Sequence, residues 1–197
     1  MVNGVDELVD RKVISKDGAD LLMEILKHKP NILVIGKSGS GKTFTIKRIL
    51  KYYGHCNVGF VRGFKQEYSN IMDLCRFFDF DTIEDAINTP LKIDIILNDS
   101  HSIDFNKLKN AKQQLIFETS AMNLERIIHY LGKNVFKVLI KTDYRECPDG
   151  GKRHVINTIK VMNPDVGLYM PVYRCSDNYL NRDLIKKVFE FKPKVTL

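Results

Sequence analysis

The sequence lacks long apolar runs: no window approaches the roughly 18 uninterrupted apolar residues of a membrane-spanning helix. The amino-terminal stretch MVNGVDELVDRK carries acids where a secretory signal has a basic and then a greasy segment. Together these absences predict a cytosolic chain. Cysteine is sparse, and Cys56, Cys75, Cys147 and Cys175 show no CxxC spacing. Neither a zinc knuckle nor a redox pair is suggested, and reduced structural thiols are expected. His55, His129 and His154 are scattered without paired spacing, so surface or hydrogen-bonded roles are expected of them rather than metal binding. No internal repeat, low-complexity tract or linker interrupts the chain.

What is present fits one domain. A chain of 197 residues that is 44% hydrophobic can bury one sizeable core. A formal charge of +7, from 31 Lys and Arg against 24 Asp and Glu, suits anionic partners. Nucleotides, nucleic acid and an acidic membrane face all remain open on charge alone.

Apolar periodicity alternates between strand and helix. SKDGADLLMEILKHKP sets Leu22, Ile25 and Leu26 on one helical face, with Ser15 as cap and Pro30 as stop. NILVIG is a continuous apolar run of strand length, as in a strand buried on both faces of a parallel sheet. Ile46, Ile49, Leu50 and Tyr53 then recur at helical spacing up to Gly54. Residues 58 to 62 predict a strand; Ile71, Leu74, Cys75 and Phe78 mark a helical face; and TIEDAINTP predicts a short capped helix. Strands at 92 to 99 and 114 to 119 and helices at 103 to 112 and 123 to 132 continue the order. Such alternation predicts a three-layer α/β domain with a mostly parallel sheet. The tail changes rhythm, with two β-rich runs about PDGG forming a carboxy-terminal hairpin, LYMPVY as an edge strand and NRDLIKKVFEFK as a closing helix.

Between the first strand and its helix, Gly36, Lys37, Ser38, Gly39, Ser40, Gly41, Lys42 and Thr43 fit G-x-x-x-x-G-K-[ST], the Walker A phosphate loop. Glycines let main-chain N–H groups turn inward around a phosphate, and the helix adds the positive end of its dipole. Lys42 is expected to bridge the terminal phosphates, and the Thr43 hydroxyl to hold Mg²⁺ with ATP. Asp99, just past an apolar strand, is the candidate catalytic residue that holds Mg²⁺ through water and polarises the attacking water, against a plain helix-capping role. Thr119 and Gln114, at the ends of LIFET and its lead, are candidate γ-phosphate sensors, against a turn-forming role for the threonine.

In this order of parts, from about Val5 to Pro164, the chain resembles the type II/type IV secretion (traffic) ATPases in their carboxy-terminal RecA-like domain. DELV…GADLL resembles their helical lead-in, GKSGSGKT their glycine-rich turn, IDIILNDSHSID their acidic strand, QQLIFETSAMN their histidine box and DGGKRHVINTIKVMNP their late hairpin. The resemblance implies a lead-in at 1–30, a P-loop NTPase domain at 31–197, and a homo-oligomer, in the family a hexameric ring docked at the inner face of a membrane on a secretion or conjugation complex. Departures weaken the implied catalysis. Asp99 stands for the family glutamate, His101 for its arginine, Gln114 and Ala121 for the two histidines, and Arg62 and Gly63 for an acidic pair. Thr119 and Asn123 are kept, and Glu67 reads as a solvated surface acid. The likeness does not extend to the large amino-terminal domain that supplies arginines across subunits in that family. Arg145 and Arg153 are the candidates to reach a neighbour's phosphate, within a basic set that otherwise reads as a solvated sheet face.

The expectation is therefore a Mg-dependent ATPase, slow or partner-dependent, of motor type. Each lost electrostatic stabiliser removes roughly 3 to 4 kcal/mol from the transition state. A catalytically weak nucleotide-binding scaffold is the rival. A small-molecule P-loop kinase ranks last, because no arginine-rich lid is apparent.

Overall fold

The structure, a computed structural model, describes residues 4–61, 65–98, 107–108, 111–120, 135–147 and 150–190. Helices α1 (Asp6–Asp10) and α2 (Lys16–Leu26) lead into β1 (Ile32–Ile35), α3 (Lys42–Tyr53) and β2 (Cys56–Val61). A 3-10 helix (Lys65–Ile71), β3 (Cys75–Phe80), α4 (Ile83–Asn88), β4 (Ile95–Asn98) and β5 (Gln114–Thr119) follow. The chain then forms β6 (Val138–Glu146), β7 (Lys152–Asn163), β8 (Leu168–Arg174), β9 (Tyr179–Leu180) and α5 (Arg182–Phe189).

Among the described residues the strands join one nine-stranded sheet in the order β3-β2-β4-β5-β1-β6-β7-β8-β9. Pairing is parallel from β3 through β6 and antiparallel from β6 to β9. The mostly parallel α/β architecture predicted from the alternating runs is the one observed. Strand alternation splits the apolar residues between two cores. Ile32, Val34, Ile116 and Ile140 share one core with Leu22 of α2 and Ile49 of α3. Leu33, Ile35, Leu115 and Phe117 pack in the other with Phe136 and Ala86. Each fully buried Leu, Ile or Val contributes about 1.5–3 kcal/mol, so β1 and β5, buried along their whole length, are the fixed frame of the molecule.

Local signals place the helices. Ser15 Oγ accepts from Gly18 N at 3.2 Å and starts α2. Thr82 and Asp85 form a capping box on α4, the short helix expected there. Asn181 Oδ1 accepts from Leu184 N at 3.0 Å to begin α5. Arg48 of α3 reaches Glu7 of α1 at 2.9 Å, and Lys51 pairs with the same carboxylate, tying the lead-in to the helix after the phosphate loop.

Residues 71 to 78 depart from the expected helical face. The segment is the end of a 3-10 helix followed by β3, which adds in register to β2 with Cys56 opposite Cys75. The aromatic run Phe77, Phe78 and Phe80 favours a pleated surface, and β2 offers it an open edge. β8 differs too, since β9 covers its end at Tyr173 and Arg174. Pro171 sits where β9 does not reach, beside a register shift against β7, so its missing N–H breaks no pairing on that side. The helices expected at 103 to 112 and 123 to 132 lie outside the described residues, apart from 107–108 and 111–112. No described helix is long and apolar enough to cross a membrane.

Candidate functional site

The loop after β1 is anchored on both flanks. Gly36 N donates to Thr119 O at 3.2 Å, extending the β1–β5 pairing into the turn. On the other side Thr142 Oγ1 donates to Ile35 O at 3.3 Å, which leaves Ser40 Oγ to donate to Thr142 Oγ1 across a buried 2.7 Å contact. A β-bulge between Lys141 and Thr142 re-aims the β6 side chains at this point. Gly36 is required by this closeness: a Cβ there would lie 2.2 Å from Ser40 Oγ and 2.3 Å from Thr142 Oγ1. Gly41 caps α3 with φ of 88°, in the left-handed region. The first N–H groups of this 12-residue helix therefore open on the loop.

Charged side chains converge there. Lys42 is 9% exposed and its Nζ donates to Lys37 O at 3.3 Å and Ser120 Oγ at 3.2 Å, lying across the loop. Thr43 Oγ1 is 3.2 Å and 3.3 Å from the two carboxylate oxygens of Glu118. Glu118 is 2% exposed and sits on β5 opposite Val34, in the strand hydrogen-bonded directly to the one that feeds the loop.

The hairpin β6–β7 forms a wall. Tyr144 and His154 are cross-strand partners with ring centroids 5.2 Å apart. Tyr144 Oη donates to Ser38 O at 3.5 Å, and a Cβ on Gly41 would lie 3.1 Å from His154 Cγ. The resulting cleft holds about 390 Å³ and is lined by the loop, Phe44, Glu67, Glu118, Ser120 and His154. Burial lowers the Lys47 ammonium below its ordinary value, with Glu67 opposing the shift. Ammonium, N–H groups and a helix amino terminus suit phosphate oxygens, and the Thr43 hydroxyl with the Glu118 carboxylate is a hard-oxygen pair of the kind Mg²⁺ takes.

The loop residues Gly36 to Thr43 come together as one structure, with Thr119 adjoining through its carbonyl. Asp99, His101, Arg62, Gly63, Ala121, Asn123 and His129 lie outside the described residues. β4, which precedes Asp99, is separated from β1 by β5. Gln114 is not at the loop. It begins β5, about 17 Å from that strand's loop end, and its Nε2 donates to Pro30 O at 2.7 Å and Tyr53 Oη at 2.8 Å. A structural tie replaces the expected sensor. Arg145 and Arg153 are absent from the phosphate cleft; strand alternation turns them away from Tyr144 and His154, into a separate cleft of about 570 Å³ beside Val13 and Tyr173. Glu67 and His154 are exposed, as expected, yet both line the phosphate cleft.

Glu118, Ser120, Thr142 and Tyr144 are site residues that the sequence reading missed. One signal was available for Glu118: an acid inside an otherwise apolar strand run is rarely buried without a partner.

No protein-family model matches the chain, and no curated protein matches it in sequence. Solved structures match its fold. The Legionella pneumophila ATPase DotB aligns with a TM-score of 0.58 at 13% identity, over 79% of this chain and 51% of that one. The VirB11 ATPase of the Brucella suis type IV secretion system, solved with sulphate, aligns with a TM-score of 0.50 at 14% identity, over 82% and 56%. The chain thus spans about half the length of these structures. The expected likeness to secretion traffic ATPases holds at the level of the RecA-like fold.

Proposed function

We propose that this chain binds ATP with Mg²⁺ at the phosphate loop and acts as a slowly hydrolysing, motor-type subunit of the traffic-ATPase kind. The observation that carries the reading is Lys42, held across a loop whose N–H groups and helix terminus face the same cleft. Terminal phosphates entering there would exchange the Lys37 carbonyl and Ser120 hydroxyl for their own oxygens as partners of the ammonium. Thr43 and a carboxylate from a neighbouring strand would take the metal side, Asp99 being the acid that the sequence offers at a strand end. The cation supplies charge neutralisation on the phosphate oxygens. Slow turnover follows from the lining: among the described residues no arginine borders this cleft, and each missing stabiliser costs about 3–4 kcal/mol in the transition state.

Arg145 and Arg153, turned away from their own cleft, would act only on a neighbour in a ring, which makes assembly a condition for catalysis. The test is the total rate of ATP turnover as a function of protein concentration. A faster-than-linear rise is expected; a rate proportional to concentration rules out catalysis across subunits.

One observation favours a second reading, a nucleotide clasp with little turnover. Tyr144 and His154 bring the hairpin into contact with the loop itself, so occupancy of the loop would bear directly on the hairpin's position. Binding of Mg-ATP without phosphate release above buffer selects this reading. A kinase role has no lid arginine in the described cleft to support it. Docking on a membrane-bound secretion or conjugation complex belongs to the motor reading and is tested by co-purification with membranes.

A further inference from the structure

Glu118 is a costly residue where it stands. An ionised carboxylate that follows Leu115, Ile116 and Phe117 in a strand buried along its whole length loses its hydration, and burial of such a charge is tolerated when strong partners replace the water. Its carboxylate is turned to Thr43, with both oxygens within 3.3 Å of one hydroxyl. Thr43 directly follows Lys42, so the two side chains bracket the space at the start of α3 where phosphate oxygens would lie. β5 is hydrogen-bonded to β1, whereas β4 lies one strand further out, about 4.8 Å more distant.

We propose that Glu118 is the carboxylate that holds, with the Thr43 hydroxyl, the divalent cation of the bound nucleotide. The proposal rests on the nucleotide reading above and assigns the metal side of that site to the strand adjoining the loop, rather than to the strand beyond it. Both groups are hard oxygen donors suited to Mg²⁺. The negative charge that makes Glu118 expensive without a cation also makes it repel a metal-free polyphosphate. The site should therefore depend steeply on the cation. A purely structural role, in which Glu118 only fixes the Thr43 rotamer, predicts no such dependence on its charge, because glutamine would accept the same hydroxyl.

Calorimetric titration of the full chain with ADP and with a non-hydrolysable ATP analogue, in EDTA and in Mg²⁺, separates these roles. In the parent, Mg²⁺ should tighten binding by at least about tenfold, the size of one charge-assisted contact. In Glu118→Gln the enhancement should shrink to about twofold or less, with affinity in EDTA equal to or tighter than the parent's. An enhancement in E118Q matching the parent's overturns the proposal and leaves the nucleotide reading standing. A parent that binds neither nucleotide in either buffer overturns both.

If E118Q fails to fold, the parent decides the matter alone. With ¹³C-labelled glutamate and Mn²⁺-ADP bound, electron–nuclear double resonance should show carboxylate coupling to the metal that persists in Glu67→Gln. Coupling absent from the parent, or lost in E67Q, overturns the proposal.

Discussion

One hairpin walls two clefts, and they differ in kind. On one side Tyr144 and His154 close the space over the phosphate loop, where buried Lys42 and Glu118 and half-buried Thr43 are each held by hydrogen bonds. On the other, Arg145 and Arg153 stand directly opposite each other, exposed, in a larger space shared with Lys12 and Lys16. Neither arginine makes an ion pair among the described residues, and like charges across a strand pair repel. Size therefore ranks the clefts in the wrong order. Chemistry is better marked by charges kept in place at a desolvation cost than by volume or by the number of basic residues.

The most severe test of this contrast is Lys42→Ala. It removes the one ammonium lying across the loop, and Mg-ATP affinity should fall by at least about a hundredfold, or two charge-assisted contacts. Affinity unchanged in that variant would mean that the buried charges serve the fold rather than phosphate. Next in size is Thr142→Val, which leaves the Ser40 hydroxyl buried without its acceptor. The expected loss is about 1–3 kcal/mol, seen as a drop in Tm of about 2–4 °C per kcal/mol. An unshifted Tm would show that the loop is not braced from β6.

The second cleft has a buried titratable group of its own, and its titration is structural. Burial raises the Tyr173 phenol above its ordinary value of 10.0, with the Ser15 hydrogen bond opposing. The unfolded chain thus ionises first. The stability contributed by the neutral ring is complete below pH 10.0 and is lost as pH climbs through the higher folded value. Tyr53 and Tyr169 are raised in the same direction by burial. Denaturant melts from pH 9 to 11 should show falling stability, and Tyr173→Phe should flatten part of the slope while leaving nucleotide affinity at pH 7 unchanged. A slope identical in Y173F would show that Tyr173 does not set the pH dependence.

The same two sides explain what could be read in the sequence. Gly36 to Thr43, the runs of β1 and β5 and the two β-runs that flank PDGG are local signals, and each lies where its pattern placed it. Glu118 and Thr142 escaped because their importance is set by partners 75 and 102 residues away, through strand register rather than spacing along the chain. Gln114 misled for the converse reason. It shares a strand with Thr119, but the strand's length carries it to the end away from the loop, where Tyr53 and Pro30 hold it. β3 was misread because Ile71, Leu74, Cys75 and Phe78 satisfy a helical period by coincidence, while the open edge of β2 is a tertiary fact that no window reveals.

The smallest expected effect tests the separation of the clefts most finely. Arg145→Ala and Arg153→Ala each remove an exposed cation on the face away from the loop, so in dilute solution Mg-ATP affinity should stay within about twofold of the parent, the range of a surface charge. Removing one of two opposed arginines also relieves repulsion, so stability should hold or rise by a few tenths of a kcal/mol, about 0.2–1 at most. If the motor reading is right, the same variants should lose the faster-than-linear rise of turnover with concentration while keeping the parent's affinity. A variant that instead weakens binding in dilute solution would show that the basic cleft communicates with the loop within one chain. The hairpin would then be a coupling element between the clefts rather than a partition.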